Sequence, residues 1–134
     1  MKHVLIMDDN VLLAEDWRST FELNGHKVTL THNGDEAVAC LQTTEFDLVI
    51  TDLFVPNAKG GLHVLGRLLA MRKRTPPVIA VTGTRRYTDV ADEKNFFLQQ
   101  TESLGVSATI EKPFASAELL LMAEELWDEQ SKES

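Results

Sequence analysis

The chain has 134 residues, 43% of them hydrophobic, which suits one domain with a real core and leaves no room for a second. With 13 Lys and Arg against 21 Asp and Glu the formal net charge is −8, which disfavours nonspecific nucleic-acid binding, since that requires basic side chains to neutralise phosphates. A single cysteine, Cys40, excludes a disulfide framework or a thiolate metal cluster, and no stretch approaches the roughly 20 apolar residues of a membrane span.

His3 to Met7 (HVLIM) is a short apolar run that reads as a strand. Asp8-Asp9-Asn10 follows, then a pattern of helical period from Val11 to Leu23 that Asn24-Gly25 stops. Lys27 to Thr31 is a second, alternating strand. Asn33-Gly34 opens a helix to about Gln42 with Ala37, Val38 and Leu41 on one face, where Cys40 is expected as a small buried hydrophobe. Phe46 to Thr51 (FDLVIT) is the third strand. After a loop with Pro56, Gly60 and Gly61, a helix is expected from about Leu62 to Arg74, its basic end Arg72-Lys73-Arg74 meeting the helix dipole before Pro76-Pro77. Val78 to Thr82 (VIAVT) is the fourth strand, a polar-rich helix is expected from about Thr88 to Leu104, and Ser107 to Glu111 is the fifth strand. The last helix should use Ser116 as N-cap and bury Leu119, Leu120, Ala123, Leu126 and Trp127. Residues 1–127 form the expected domain, and 128–134 a frayed polar tail.

Strands that are nearly continuous apolar runs, alternating with helices, specify an α/β fold: a doubly wound parallel sheet covered on both faces. The order 2-1-3-4-5, that of flavodoxin-like folds, is a common solution and places the topological switch point between the first and third strands. Asp8, Asp9 and Asp52 all fall at that edge. Like charges crowded together raise each other's pKa and destabilise the fold, so a cation or a chemical task is needed there. Hard Mg²⁺ prefers oxygen ligands from one or two carboxylates, waters and phosphate. No histidine is expected near these strand ends, which argues against zinc; His3, His26, His32 and His63 do not cluster by spacing. A carboxylate can also be the nucleophile that accepts a phosphoryl group, a transfer for which the protein needs to supply positioning and charge neutralisation. Thr82, followed by Gly83, ends the fourth strand with a hydroxyl, and Lys112-Pro113 ends the fifth with an ammonium. Singly, each has a bland reading as turn, surface or cap residue; together they furnish four of five strand ends with the groups phosphoryl transfer needs.

These residues resemble the response-regulator receiver domain of two-component signalling over essentially the whole chain. Asp8-Asp9 matches the family's acid pair, Asp52 its phosphoacceptor, Thr82 its switch hydroxyl and Lys112-Pro113 its Lys-Pro. The run Asp52-Leu53-Phe54-Val55-Pro56 with Gly60 beyond matches the loop after the phosphoacceptor. The resemblance implies that Asp9 and Asp52 ligate Mg²⁺ directly, that Asp8 acts largely through water, and that the Phe54 carbonyl adds a ligand. It also implies that Lys112 pairs with Asp52 and then with phosphoryl oxygens, across a commonly cis Lys-Pro bond, while Thr82 swings inward. The implied partners are a histidine kinase or histidine phosphotransfer protein and a downstream protein target, not nucleic acid or membrane, with a weak homodimer left open. The expected protein is a stand-alone cytoplasmic module with self-catalysed phosphoryl chemistry rather than an enzyme in the ordinary sense.

Three positions depart from the family pattern. Thr109 stands where an aromatic residue usually sits three before the Lys, and Tyr87 is a candidate substitute. About eight extra residues separate Thr82 from Lys112, and in that segment Val90, Ala91, Phe97, Leu98 and Leu104 form one stripe at 100° per residue while Phe96 points away, a candidate partner contact. Phe54, with Thr84, should hinder water from reaching an acyl phosphate, so slow self-dephosphorylation is expected, shortened by Phe54→Asn. The alternatives are a degenerate receiver that only binds partners, favoured by Thr109, and a haloacid-dehalogenase-type phosphohydrolase, which needs an Asp where Phe54 stands. A flavin or dinucleotide site would need a phosphate-binding loop where Asp8-Asp9 would repel phosphate.

Overall fold

The computed structural model describes residues 1–52, 76–83 and 106–133. The expected helices at 62–74 and 88–104 lie outside them, as do Phe54, Pro56, Gly60, His63, Thr84, Tyr87 and Phe96. The described elements are β1 (His3–Met7), α1 (Val11–Leu23), β2 (Lys27–Thr31), α2 (Gly34–Thr43), β3 (Leu48–Asp52), β4 (Val78–Gly83), β5 (Ala108–Lys112) and α3 (Ser116–Glu133). The strands make one parallel sheet in the order β2-β1-β3-β4-β5. No helix among the described residues is long and apolar enough to cross a membrane.

Strand alternation divides the core in two. Val4, Ile6, Leu48, Ile50, Ile79 and Val81 face α1 and α3, where Ala14, Trp17, Phe21, Leu119, Ala123 and Trp127 close over them. Leu5, Met7, Val49, Val78 and Ala80 face the other way, against Ala37 and Leu41 of α2, with Val38 and the half-buried Cys40 at the margin. Burial on both faces is why β1 and β3 read as unbroken apolar runs.

Local chemistry sets the element ends. The Asn10 side chain accepts from the Leu13 amide at 3.1 Å and starts α1; Gly25, at φ 85°, carries the chain out of it. Asn33 accepts from the Glu36 amide at 2.9 Å while the Glu36 carboxylate accepts from the His32 amide at 2.8 Å, a reciprocal arrangement akin to a capping box at the start of α2.

Several expectations are corrected. β3 begins at Leu48, not Phe46, because Asp47 is engaged with His3: its amide donates to the His3 carbonyl, and its carboxylate accepts from the His3 amide, both at 2.8 Å. β5 is one residue later than expected, since the Ser107 hydroxyl accepts from the Val78 amide at 3.1 Å ahead of the strand, and Lys112 pairs with Gly83 within the ladder. Ser116 is the first helical residue of α3 rather than its N-cap; its hydroxyl accepts from Thr20 at 2.8 Å and ties α3 to α1. The tail from Asp128 is helical to Glu133, built from good helix formers and carrying an exposed Lys132–Asp128 pair at 3.3 Å.

Candidate functional site

Parallel pairing aligns the carboxyl ends of the strands. Met7 is paired with Thr51, so Asp8 is level with Asp52; Asp52 is paired with Val81, and Gly83 with Lys112. Asp8, Asp52 and Lys112 each extend the alternation that faces α1 and α3, whereas Thr82 follows Val78 and Ala80 on the opposite parity. Four neighbouring strands thus deliver two acids, a lysine and a hydroxyl to one edge.

Asp8, Asp9 and Asp52 each offer a carboxylate oxygen within 4.8 Å of the others. Asp8 is fully buried and Asp52 is 2% exposed, but Asp9 is exposed. Lys112 bridges the two buried acids, with Nζ 2.9 Å from Asp8 Oδ2 and 3.3 Å from Asp52 Oδ2. Burial by itself would lower the Lys112 pKa, yet the hydrogen bond to Asp8 and the charges of Asp52 and Asp8 outweigh it and raise the pKa, so the ammonium is retained. The Lys112–Pro113 bond is cis.

Asp8 is held at every polar atom. Its amide donates to the Thr31 carbonyl at 3.1 Å, its carbonyl accepts from His32, and its carboxylate accepts from the Asn10 amide at 2.8 Å and from Lys112. Asn10 does the capping of α1, and Asp9 makes no hydrogen bond or ion pair with a described residue. The acid pair therefore divides into a saturated member and an available one.

Among the described residues the donor set suits a hard divalent cation: carboxylate oxygens, from two buried acids and one open to solvent, partly neutralised by the Lys112 ammonium. One expectation fails here, because a histidine does stand at this edge. His32 Nδ1 lies 3.1 Å from the Asp8 carbonyl, so that nitrogen carries a proton and donates. That bond leaves Nε2 without a proton, but among the described residues neither ring nitrogen joins the group of donor atoms that Asp8, Asp9 and Asp52 form within 4.8 Å of one another, so the gathered donors are all oxygens, the set that a hard cation prefers. The signal was in the register: Met7 is paired with Thr31, so the next residue on β2 must flank Asp8.

Thr82 is 2% exposed at the end of β4, and among the described residues no hydrogen bond joins it to the acids or to Lys112. Thr109 is exposed, so no aromatic ring occupies that position on β5. Residue-by-residue reading missed Trp17. Fully buried on α1, it lies beneath the site with its ring centroid 5.8 Å from Lys112 Nζ and stacks on Phe114 at 5.4 Å. Its indole N–H has no acceptor among the described residues, an omission that costs about 1–3 kcal/mol in a buried setting.

Comparison with known proteins agrees with this geometry. Residues 4–124 match the family described as the response regulator receiver domain, and the chain belongs to that family. It is 27% identical over 132 residues to response regulator SaeR of Staphylococcus aureus, covering 98% of this chain and 53% of SaeR; the chain thus spans about half the length of the curated relatives it matches. Among solved structures, a CheY-like response regulator receiver domain protein of Methanospirillum hungatei aligns with a TM-score of 0.80 at 25% identity, over 100% of this chain and 99% of its own. Chemotaxis response regulator CheY4 of Vibrio cholerae aligns with a TM-score of 0.75 at 27% identity, over 94% and 98%.

Proposed function

We propose that this receiver accepts a phosphoryl group on Asp52, with Mg²⁺ at the acidic cluster, from a histidine kinase or histidine phosphotransfer protein, and signals through phosphorylation-dependent contact with another protein in the cytosol. The observation that carries the reading is the bridging of Asp8 and Asp52 by Lys112 beside an uncommitted Asp9. Asp8 has already given its carboxylate to Asn10 and Lys112, which supports Asp9 and Asp52 as direct metal ligands and Asp8 as one acting through water, with the Phe54 carbonyl as a further ligand. The bound metal would supply positive charge opposite the phosphoryl oxygens.

An Asp52 carboxylate oxygen attacks the phosphorus of the phosphohistidine, the P–N bond breaks, and the released imidazole keeps the bond's electron pair and takes a proton from solvent. Lys112 moves its hydrogen bond from Asp52 to a phosphoryl oxygen, and its retained charge offsets the added negative charge. Thr82, one residue further along β4 than the partner of Asp52, donates its hydroxyl to the phosphoryl group, and the chain beyond Gly83 follows. Partner contact through Tyr87 and Phe96 is part of the same proposal.

The test is incubation with acetyl phosphate and Mg²⁺, followed by mapping of the acyl phosphate. Label on the wild type, absent from Asp52→Asn and after chelation of the metal, is expected. Label that survives Asp52→Asn would overturn the assignment. A wild type that takes no label, yet binds its target, would favour the degenerate receiver to which Thr109 points.

A further inference from the structure

We propose that Trp17 is a positioning residue for Lys112, confining the ammonium at the phosphoacceptor with the face of its indole ring; the role rests on the phosphoacceptor reading given above. Two independent observations lead there. Trp17 lies in the core on the α1 side of the sheet, with its ring centroid 5.8 Å from Lys112 Nζ and stacked at 21° on Phe114, two residues beyond that lysine. One indole therefore meets both the first and the last residue of the Lys112-Pro113-Phe114 segment. The second observation is the buried indole N–H without an acceptor among the described residues. A phenylalanine would fill most of this space with no donor to leave unmet, so close packing does not account for the indole. What tryptophan adds over phenylalanine is the stronger π face for a cation, and the cation above it is Lys112.

The chemistry benefits from the kind of restraint this is. Lys112 must stay at the site while its hydrogen bond passes from an Asp52 oxygen to a phosphoryl oxygen. Carboxylate partners are directional and compete for the ammonium, whereas attraction to a ring face varies little with small lateral shifts. Trp17 thus holds the charge in place without fixing which oxygen receives its proton. The ring touches neither substrate nor metal, and acts through the lysine.

The experiment measures the rate of Asp52 phosphorylation by acetyl phosphate at saturating Mg²⁺, per folded molecule, in the wild type, Trp17→Phe and Trp17→Leu. The expected order is Trp, then Phe, then Leu, with Leu slower by roughly 3- to 10-fold, the equivalent of one partly buried cation–π contact. Equal rates among the folded proteins would overturn the inference. A second readout does not need the leucine variant to fold. In a Trp127→Phe background Trp17 is the remaining tryptophan of two, and its emission should shift when Mg²⁺ draws the acids from Lys112, with Lys112→Met suppressing the shift. No shift, or one undiminished by Lys112→Met, also overturns it. A wild type that takes no phosphoryl group defeats the phosphoacceptor reading instead, and the emission experiment then decides the ring contact by itself.

Discussion

Asp8 and Asp9 are neighbours in sequence with opposite situations, and substitution should separate them. Asp8→Asn removes the charge facing Lys112 and weakens the acceptor for the Asn10 amide. A loss of about 1–3 kcal/mol is expected in urea unfolding of the metal-free protein, less than for a fully dry ion pair because Lys112 is 23% exposed. Asp9→Asn deletes only repulsion within the cluster, so metal-free stability should rise by up to about 1 kcal/mol while Mg²⁺ affinity falls roughly tenfold. Unfolding with and without Mg²⁺ checks both signs, and destabilisation of metal-free Asp9→Asn would contradict the repulsion. The candidate acids were legible in the chain because each ends an apolar run. Which of the pair is saturated was not, because that depends on Lys112 and His32, 104 and 24 residues away from Asp8.

Among the elements, local signals were read most reliably where one residue type does one job. Asn33 opens α2 as expected and Asn24-Gly25 stops α1, Gly25 with a positive φ, while the cap of α1 is Asn10 and not the acid pair before it. A Cβ added at Gly25 meets nothing within 4 Å, so Gly25→Ala carries only the backbone cost of the left-handed conformation. A loss of about 1 kcal/mol is expected, seen as a lower urea midpoint with an unchanged m-value. Asn33→Ala should cost a similar amount, about 1 kcal/mol, by freeing the Glu36 amide. Ser116 shows the limit of such reading. Serine before an apolar helix reads as a cap, yet its hydroxyl is used across the α1–α3 interface by Thr20, 96 residues away, and no local pattern announces a tertiary partner.

For the molecule as a whole, the edge opposite the acids carries its own pH dependence. His3 and His26 both have pKa values lowered from 6.5. Burial is the first cause in each; Lys27 adds to it at His3, and the N-terminal ammonium and Lys2 at His26, against the opposing charges of Asp47 and Glu124. Because the unfolded chain takes up these protons more readily, their contribution is complete above 6.5 and is lost as the pH falls through the lowered folded values. Urea midpoints should therefore drop between about pH 7.5 and about pH 5.5, and less steeply in a His3→Gln, His26→Gln double variant. An identical pH slope in that variant would contradict the assignment.

The sequence alone determined the α/β class, narrowed the strand order to a few topologies and singled out Asp8, Asp9, Asp52, Thr82 and Lys112 as candidates, since apolar runs and their terminating residues are local properties of the chain; the order β2-β1-β3-β4-β5 is a property of the assembled sheet. Tertiary structure decided what surrounds them. Strand register placed His32 against the Asp8 backbone, the packing of α1 against β1, β2 and α3 brought Trp17 to Lys112, and the meeting of α1 with α3 took Ser116 from its cap. Those contacts join residues distant along the chain, and their energies arise only when the sheet has aligned its strands and the helices have closed over it.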